Sequence, residues 1–94
     1  MINPRGVIEV NGVLADFDAS RPGPNWSDRW RSRDPLLEAQ IRAVARWIGC
    51  PHVDMAIGAT LHITKVARKL GGRVVSLQDC APIPKDFPQS WFDK

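Results

Sequence analysis

Four side chains with the ligand chemistry of a zinc site lie in the second half of the chain: Cys50, His52, His62 and Cys80. Two thiolates and two imidazoles suit a tetrahedral zinc ion. The spacing is Cys-x-His, then nine residues to His62 and seventeen more to Cys80, which matches no zinc module. The set is therefore a weak candidate, and no metal is expected. Two cysteines are also too few for a disulfide framework, so both are predicted to be reduced thiols.

Groups for catalysis are no easier to assemble. Cys50 would follow a helix C-terminus, where the negative end of the helix dipole disfavours a thiolate nucleophile. Asp16 and Asp18, with Asp54, have the chemistry of a magnesium site, but a solvated strand end is the preferred explanation of the first two. The glycine pair at 71 and 72 would follow a helix instead of preceding one, so it forms no phosphate loop. The chain is predicted to be non-enzymatic, with no catalytic residue and no cofactor.

A basic and aromatic set is the strongest indication of a partner. Residues 21–73 contain ten Lys or Arg against four Asp or Glu, a charge of +6, whereas the two ends together carry three against six, a charge of −3. Arginine beside tryptophan can combine phosphate contacts with base stacking. Alternatively, the tryptophans are core anchors and the arginines a solvated face. The predicted binding set is Trp26, Arg29, Trp30, Arg31, Arg33, Arg42, Arg46, Lys65, Arg68, Lys69 and Arg73.

The C-terminal segment 81–94 contains three prolines and three aromatic residues. The prolines exclude a regular helix or a central strand over most of it. Phe87, Trp91 and Phe92 are too apolar for a free tail. We expect them to pack on the domain or to anchor a protein partner.

The best-defined element that must position these groups is a helix over 34–49. Asp34 can cap it, Pro35 suits its first turn, and Gly49 can end it. At 100° per residue its apolar residues share one side, so we expect that side to be buried, Trp47 included. The apolar side comprises Leu36, Leu37, Ile41, Val44, Ala45, Trp47 and Ile48.

A hairpin over residues 7–17 is predicted from Asn11-Gly12, which supplies the positive φ angles of a type I′ turn. A two-residue loop pairs Val10 with Val13 and Ile8 with Ala15. These four residues and Phe17 then form one apolar side.

The stretch 50–80 allows two interpretations. In the first, residues 53–57 form a strand, Thr60 caps a helix that ends at Leu70, and residues 73–77 form another strand, giving β-α-β. In the second, residues 52–58 and 63–70 form a helix-turn-helix, and the last strand begins a wing.

The fold class predicted from these elements is α+β: an N-terminal hairpin, a central amphipathic helix, a β-α-β unit or a helix-turn-helix, and a Pro-rich tail. A chain of 94 residues allows one small domain, 1–80, with 81–94 as the tail. No long apolar run or signal-peptide core is present, so no membrane association and a cytoplasmic location are expected.

The expected function is that of a small regulatory or accessory protein. It would contact nucleic acid or a nucleoprotein complex through the basic middle region. The alternative is a protein–protein interaction module, a phage-type inhibitor or adaptor, that uses exposed tryptophans and the tail aromatics.

Overall fold

The computed structural model describes residues 3–93. Met1, Ile2 and Lys94, at the outer ends of the predicted domain and tail, lie outside these described residues. Within them the chain forms a four-stranded antiparallel sheet and two α-helices, in agreement with the predicted α+β class. The elements are β1 (Arg5–Val10), β2 (Val13–Asp18), β3 (Trp30–Ser32), α1 (Pro35–Ile48), α2 (Met55–Lys69) and β4 (Arg73–Gln78), with 3-10 helices at Trp26–Arg29 and Gln89–Asp93.

Strands β1 and β2 form the predicted hairpin. Asn11 and Gly12 have φ angles of 51° and 80°, as a type I′ turn requires. Val10 pairs with Val13 and Ile8 with Ala15, so the register is the one expected from a two-residue loop. The apolar side is the one that the helices cover, and Ile8 is completely buried.

Helix α1 begins and ends where the sequence predicts. The Asp34 carboxylate accepts hydrogen bonds from the backbone N–H groups of Leu36 and Leu37, and Gly49 follows the last turn with φ 62°. Leu37 and Ile41 are buried as expected. Leu36 and Trp47, however, are 70% and 65% exposed, so their assignment to the core is wrong. One side of α1 is covered, by β3, α2 and the first 3-10 helix, and both residues lie at the border of the apolar side.

Helix α2 contains the helix predicted to end at Leu70 but begins earlier than either interpretation of residues 52–70 allows. It runs without a break from Met55 to Lys69, so the chain has neither a strand at 53–57 nor the turn of a helix-turn-helix there. The Asp54 carboxylate caps it by accepting from the N–H groups of Ala56 and Ile57. Thr60 is not a cap. Its hydroxyl lies inside the helix and donates to the carbonyls of Ala56 and Ala81.

The sheet order is β3-β2-β1-β4, so the two strands added to the hairpin lie at opposite edges. β4 corresponds to the strand predicted at 73–77, but it pairs antiparallel with β1, and no parallel crossover forms. β3 was not predicted, and it pairs with β2 over three residues. α1 packs near β3 and α2 near β1 and β4, both on one face of the sheet, and the other face has no layer of the described residues over it.

The residues that follow β4 run back along α2. The Ala81 N–H donates to the Ala56 carbonyl at 3.1 Å, and the Lys65 ammonium donates to the Trp91 carbonyl at 2.8 Å. Phe92 is 3% exposed. Within residues 3–93, neither helix is long and apolar enough to cross a membrane.

Candidate functional site

The four weak zinc candidates form hydrogen bonds within the protein. His62 is completely buried, its Nε2 accepts from Trp30 Nε1 at 2.9 Å, and its Nδ1 lies 2.7 Å from the Gly49 carbonyl oxygen. Burial lowers the pKa of His62 to about 4, so the ring is neutral near pH 7. His52 Nδ1 accepts from the backbone N–H of Asp54. Within residues 3–93 no group of three or more His, Cys, Asp or Glu residues is placed to hold a metal.

The two cysteines are free thiols at separate places. Cys50 is exposed beyond the end of α1 and donates to the His52 carbonyl. Cys80 is half-buried after β4, near the Arg5 and Gln78 carbonyls, and burial raises the pKa of its thiol.

The three aspartates with the chemistry of a magnesium site are divided between two elements. Asp54 caps α2, whereas Asp16 and Asp18 belong to β2. A hydrogen bond from the Ser20 hydroxyl is the main cause that lowers the pKa of Asp18, and Arg5 lies 3.6 Å from the same carboxylate oxygen. These contacts account for Asp18 without a cation.

Trp26 and Trp30, the aromatic members of the predicted binding set, are buried. Trp26 is 8% exposed and Trp30 is inaccessible. Both rings pack against Phe17 and His62, with Trp26 meeting His62 edge-on at 4.9 Å. Neither tryptophan can stack on a base, so the interpretation of these two residues as core anchors is the correct one.

Two arginines of the set hold the loop and strand around these tryptophans. Arg29 Nη1 donates to the Ala19 carbonyl at 2.9 Å. Arg42, on α1, donates to the Trp30 carbonyl from Nε at 3.3 Å and from Nη2 at 3.0 Å, and it also pairs with Glu38. Their guanidinium groups are engaged inside the fold.

Three more arginines lie at the two opposite edges of the sheet. Arg31 is on β3, and Arg33 follows it, both exposed. Arg73 is on β4 at the opposite edge, where its Nε lies 3.2 Å from Glu9 Oε1. These residues do not form a continuous basic surface.

Two of the remaining members, Lys65 and Lys69, lie at the ring of Trp47. Lys65 Nζ and Lys69 Nζ lie 4.8 Å and 5.5 Å from the centroid of the Trp47 ring, and Lys65 Nζ lies 4.0 Å from that of Trp91. The guanidinium of Arg68 lies 4.8 Å from the Phe92 ring. We call these residues, with the neighbouring Arg46, the Trp47 surface: Arg46, Trp47, Lys65, Arg68, Lys69, Trp91 and Phe92.

The chain matches no family model, no curated protein and no solved structure. Its function therefore has to be inferred from its own residues.

The cations of the Trp47 surface differ in what they can offer a ligand. Lys65 is 3% exposed and holds the tail, whereas Arg46, Arg68 and Lys69 are exposed. Trp47 itself keeps most of its surface in water although two ammonium groups lie near its ring. The arrangement presents one large exposed aromatic ring with the accessible charge of Lys69 near it, and two further exposed cations, Arg46 and Arg68, on the same two helices.

The tail aromatics form a cluster of their own. Phe87, Trp91 and Phe92 contact one another edge-on, with centroids 5.1 to 6.0 Å apart. Phe92 is buried and cannot anchor a partner, while Phe87 and Trp91 are half-buried.

Trp47 is the residue that sequence reasoning missed. Its position on the apolar side of α1 indicated a core residue, because the helical period assigns a side but not what covers it. One signal was present: Trp47 lies at the border of the apolar side, next to Arg46.

Proposed function

We propose that this protein is a small accessory or regulatory protein that binds single-stranded nucleic acid through the Trp47 surface. The observation that carries the proposal is the 65% exposed Trp47 ring with the exposed Lys69 Nζ 5.5 Å from its centroid, on helices that also carry the exposed Arg46 and Arg68. Exposure of an indole ring to water is unfavourable. A ligand that covers the ring therefore gains binding free energy.

A ligand suited to this surface carries negative charge next to flat rings. Phosphates would meet Arg46, Arg68 and Lys69, while a base stacks on Trp47. Bases are open to stacking only where they are unpaired, which favours single strands over a duplex. The surface contains no set of side chains that would distinguish one base from another, so weak sequence preference is expected.

The sheet is a less suitable binding site for a phosphate backbone than the Trp47 surface. Arg5 pairs with Asp18 and Arg73 with Glu9, and Asp16 lies directly opposite Arg31. Positive and negative charges alternate there, so the sheet would not attract a phosphate backbone.

The test is binding of labelled oligothymidylate, oligouridylate and a duplex, measured by fluorescence anisotropy at about 50 mM and about 200 mM salt. Three phosphate contacts to a single strand predict a slope of about −2 for log affinity against log salt concentration. Trp47→Ala should weaken single-strand binding by about tenfold, as for the loss of one stacked base. Absence of binding at low salt would remove the proposal.

Matched controls separate this surface from general charge and hydrophobicity. Leu36→Ala removes an equally exposed apolar side chain at the other end of α1 and should not change affinity. Lys69→Gln should weaken binding, whereas Arg31→Gln, with the same loss of charge on β3, should not. If the two charge variants weaken binding equally, the Trp47 surface is not the site.

The same variants test the protein-binding alternative. Tryptophan and arginine are also the residues that dominate protein interfaces. Capture of a protein that survives high salt and is lost with Trp47→Ala, without any oligonucleotide binding, would replace nucleic acid by a protein partner.

A further inference from the structure

The closer of the two ammonium groups at the Trp47 ring is hidden from solvent. Lys65 Nζ lies 4.8 Å from the ring centroid, whereas Lys69 Nζ lies at 5.5 Å. Lys65 is nevertheless 3% exposed, while Lys69 is exposed. A phosphate next to a base stacked on Trp47 can therefore reach Lys69 but not Lys65.

Trp91, in the C-terminal segment, covers the hidden ammonium group. Its carbonyl oxygen accepts from Lys65 Nζ at 2.8 Å, and its ring centroid lies 4.0 Å from the same nitrogen. An ammonium group has three N–H donors, and phosphate oxygens are strong acceptors for them. Trp91 and a bound phosphate would therefore compete for the space around Lys65 Nζ.

The C-terminal segment lies along α2 as a strap, which we define as residues 81–93. At its first residue, the backbone N–H donates to a carbonyl of α2 at 3.1 Å. At its other end, its contacts are made with cations: Lys65 donates to a strap carbonyl, and Arg68 lies 4.8 Å from the Phe92 ring. Both cations belong to the Trp47 surface. The strap thus engages charges that are available to a ligand only when it leaves.

We infer that the strap is autoinhibitory: it masks Lys65, and a single strand binds more tightly to a chain whose strap is released. The inference rests on the proposed binding of nucleic acid at the Trp47 surface. With the strap in place, the phosphates would meet Arg46, Arg68 and Lys69. Release adds Lys65 as a fourth contact, beside the ring that stacks on a base.

The composition of the strap lets it detach while the sheet and the helices stay folded. Pro82, Pro84 and Pro88 lack the N–H group that a strand or a helix would use. Segments with few backbone bonds to the rest of a fold open locally, at a lower cost than global unfolding. Release must bring Phe92, which is 3% exposed, into water. Truncation of this side chain therefore favours the released state.

Strap release and ligand binding are linked equilibria. If release tightens binding by a given factor, binding must favour release by the same factor. A charged hydrogen bond from Lys65 to a phosphate gives a factor of about ten. The fourth contact also steepens the slope of log affinity against log salt concentration from about −2 to about −3.

The direct test is hydrogen exchange of the wild-type chain with and without saturating oligothymidylate. Binding should make exchange over residues 81–93 about tenfold faster, by the same linkage. The measurement needs no variant, so it does not depend on the folding of a mutant. Binding with unchanged or slower exchange of the strap would overturn the inference alone. Absence of binding would remove the proposed function, and the strap's inhibitory role with it.

A second test compares two variants that weaken the strap in different ways. Phe92→Ala removes its buried side chain and keeps Lys65, so affinity for oligothymidylate should rise by up to about tenfold and the salt slope should steepen. Lys65→Met also weakens the strap but removes the masked cation, so neither quantity should increase. An equal gain in both variants would show that release acts without Lys65 and would overturn the inference.

Gln89→Ala is the control within the strap. Gln89 is exposed, so its truncation should leave both the exchange of the strap and the affinity as in the wild type. A gain in affinity equal to that of Phe92→Ala would contradict release of the buried ring as the cause.

Discussion

The indole Nε1 of Trp30 donates a 2.9 Å hydrogen bond to Nε2 of His62 in the centre of the core. Because an indole N–H can only donate, Nε2 carries no proton. Nδ1 must then carry it, and it donates to the Gly49 carbonyl at 2.7 Å. The pair links β3, α2 and the end of α1 through one neutral imidazole. If Nε2 also carried a proton, that proton would point at the Trp30 N–H. Neither of these two N–H groups would then have an acceptor.

We expect stability to fall with acid because of His62. Its pKa is lowered from 6.5 to about 4, first by burial, while the Gly49 bond opposes the shift. Above pH 6.5 the ring is neutral in both states. As pH falls from 6.5 to 4, the unfolded chain takes up the proton and the folded chain does not. The free energy of unfolding therefore drops by about 1.4 kcal/mol per pH unit, about 3 kcal/mol in all.

The measurement is urea unfolding of the wild type and His62→Gln at several pH values between 7 and 4. The difference in unfolding free energy between the two should shrink as pH falls, whatever its value at pH 7. His52→Gln is the control, since His52 is partly exposed. If the His62→Gln chain loses as much stability with acid as the wild type, the buried imidazole is not the cause.

Gly6→Ala should destabilise the protein. A Cβ at position 6 would lie 2.6 Å from Ile63 Cδ1, and 3.3 Å from both Ile63 Cγ2 and Leu77 Cδ2. Ile63 is completely buried, so the end of its side chain must shift within the core to admit the new Cβ. We expect a loss of about 1 to 3 kcal/mol, as in other overpacked cores. Thermal and urea unfolding measure it.

A second substitution checks that the clash is the reason. Ile63→Val removes Cδ1 and costs about 1 kcal/mol in the wild-type background. In the Gly6→Ala background it should cost less or increase stability. Simple additivity of the two losses would show that Cδ1 is not the obstacle.

Arg42→Met should lower stability by about 1 kcal/mol. It removes two charged hydrogen bonds to the Trp30 carbonyl and the contact with Glu38, and the side chain is only partly exposed. Arg46→Met is the matched control. It also removes one positive charge from α1, one turn later and at an exposed position. Equal melting temperatures for the two variants would show that these contacts do not stabilise the β3 edge.

The elements with local signals were predictable. The Asn11-Gly12 turn fixes the hairpin register, and Asp34, Pro35 and Gly49 mark the limits of α1. The start of α2 was missed although Asp54 caps it as Asp34 caps α1. The alternation of Val53, Met55 and Ile57 favoured a strand, because a short apolar run fits either period.

The candidate site depended on contacts that are distant in sequence. Trp26 and Trp30 are buried because Phe17 and His62 pack against them, and the sequence does not show these neighbours. Trp47 is 65% exposed although the Lys65 and Lys69 ammonium groups lie near its ring, and the sequence does not show how far α2 covers it. Lys65, predicted to bind a partner, is 3% exposed because the returning tail covers this side of α2. Tail packing carries no periodic signal.

Lys65 is expected to hold the tail against α2. Its ammonium donates to the Trp91 carbonyl at 2.8 Å and lies near the rings of Trp47 and Trp91. Lys65→Met keeps an unbranched side chain but removes the charge, so the carbonyl bond and both cation–π contacts are lost. We expect the segment around Trp91 to open more often, by about tenfold to a hundredfold, since contacts worth about 1 to 3 kcal/mol are removed. Hydrogen exchange resolved to residues 81–93 measures this opening.

Lys69→Met is the matched control: Lys69 is exposed and contacts Trp47 but not the tail, so exchange there should not change. Faster exchange over 81–93 in both variants would assign the effect to the overall charge of α2, whereas an unchanged tail in Lys65→Met would show that Phe92 and the Ala81 to Ala56 bond hold the segment without Lys65.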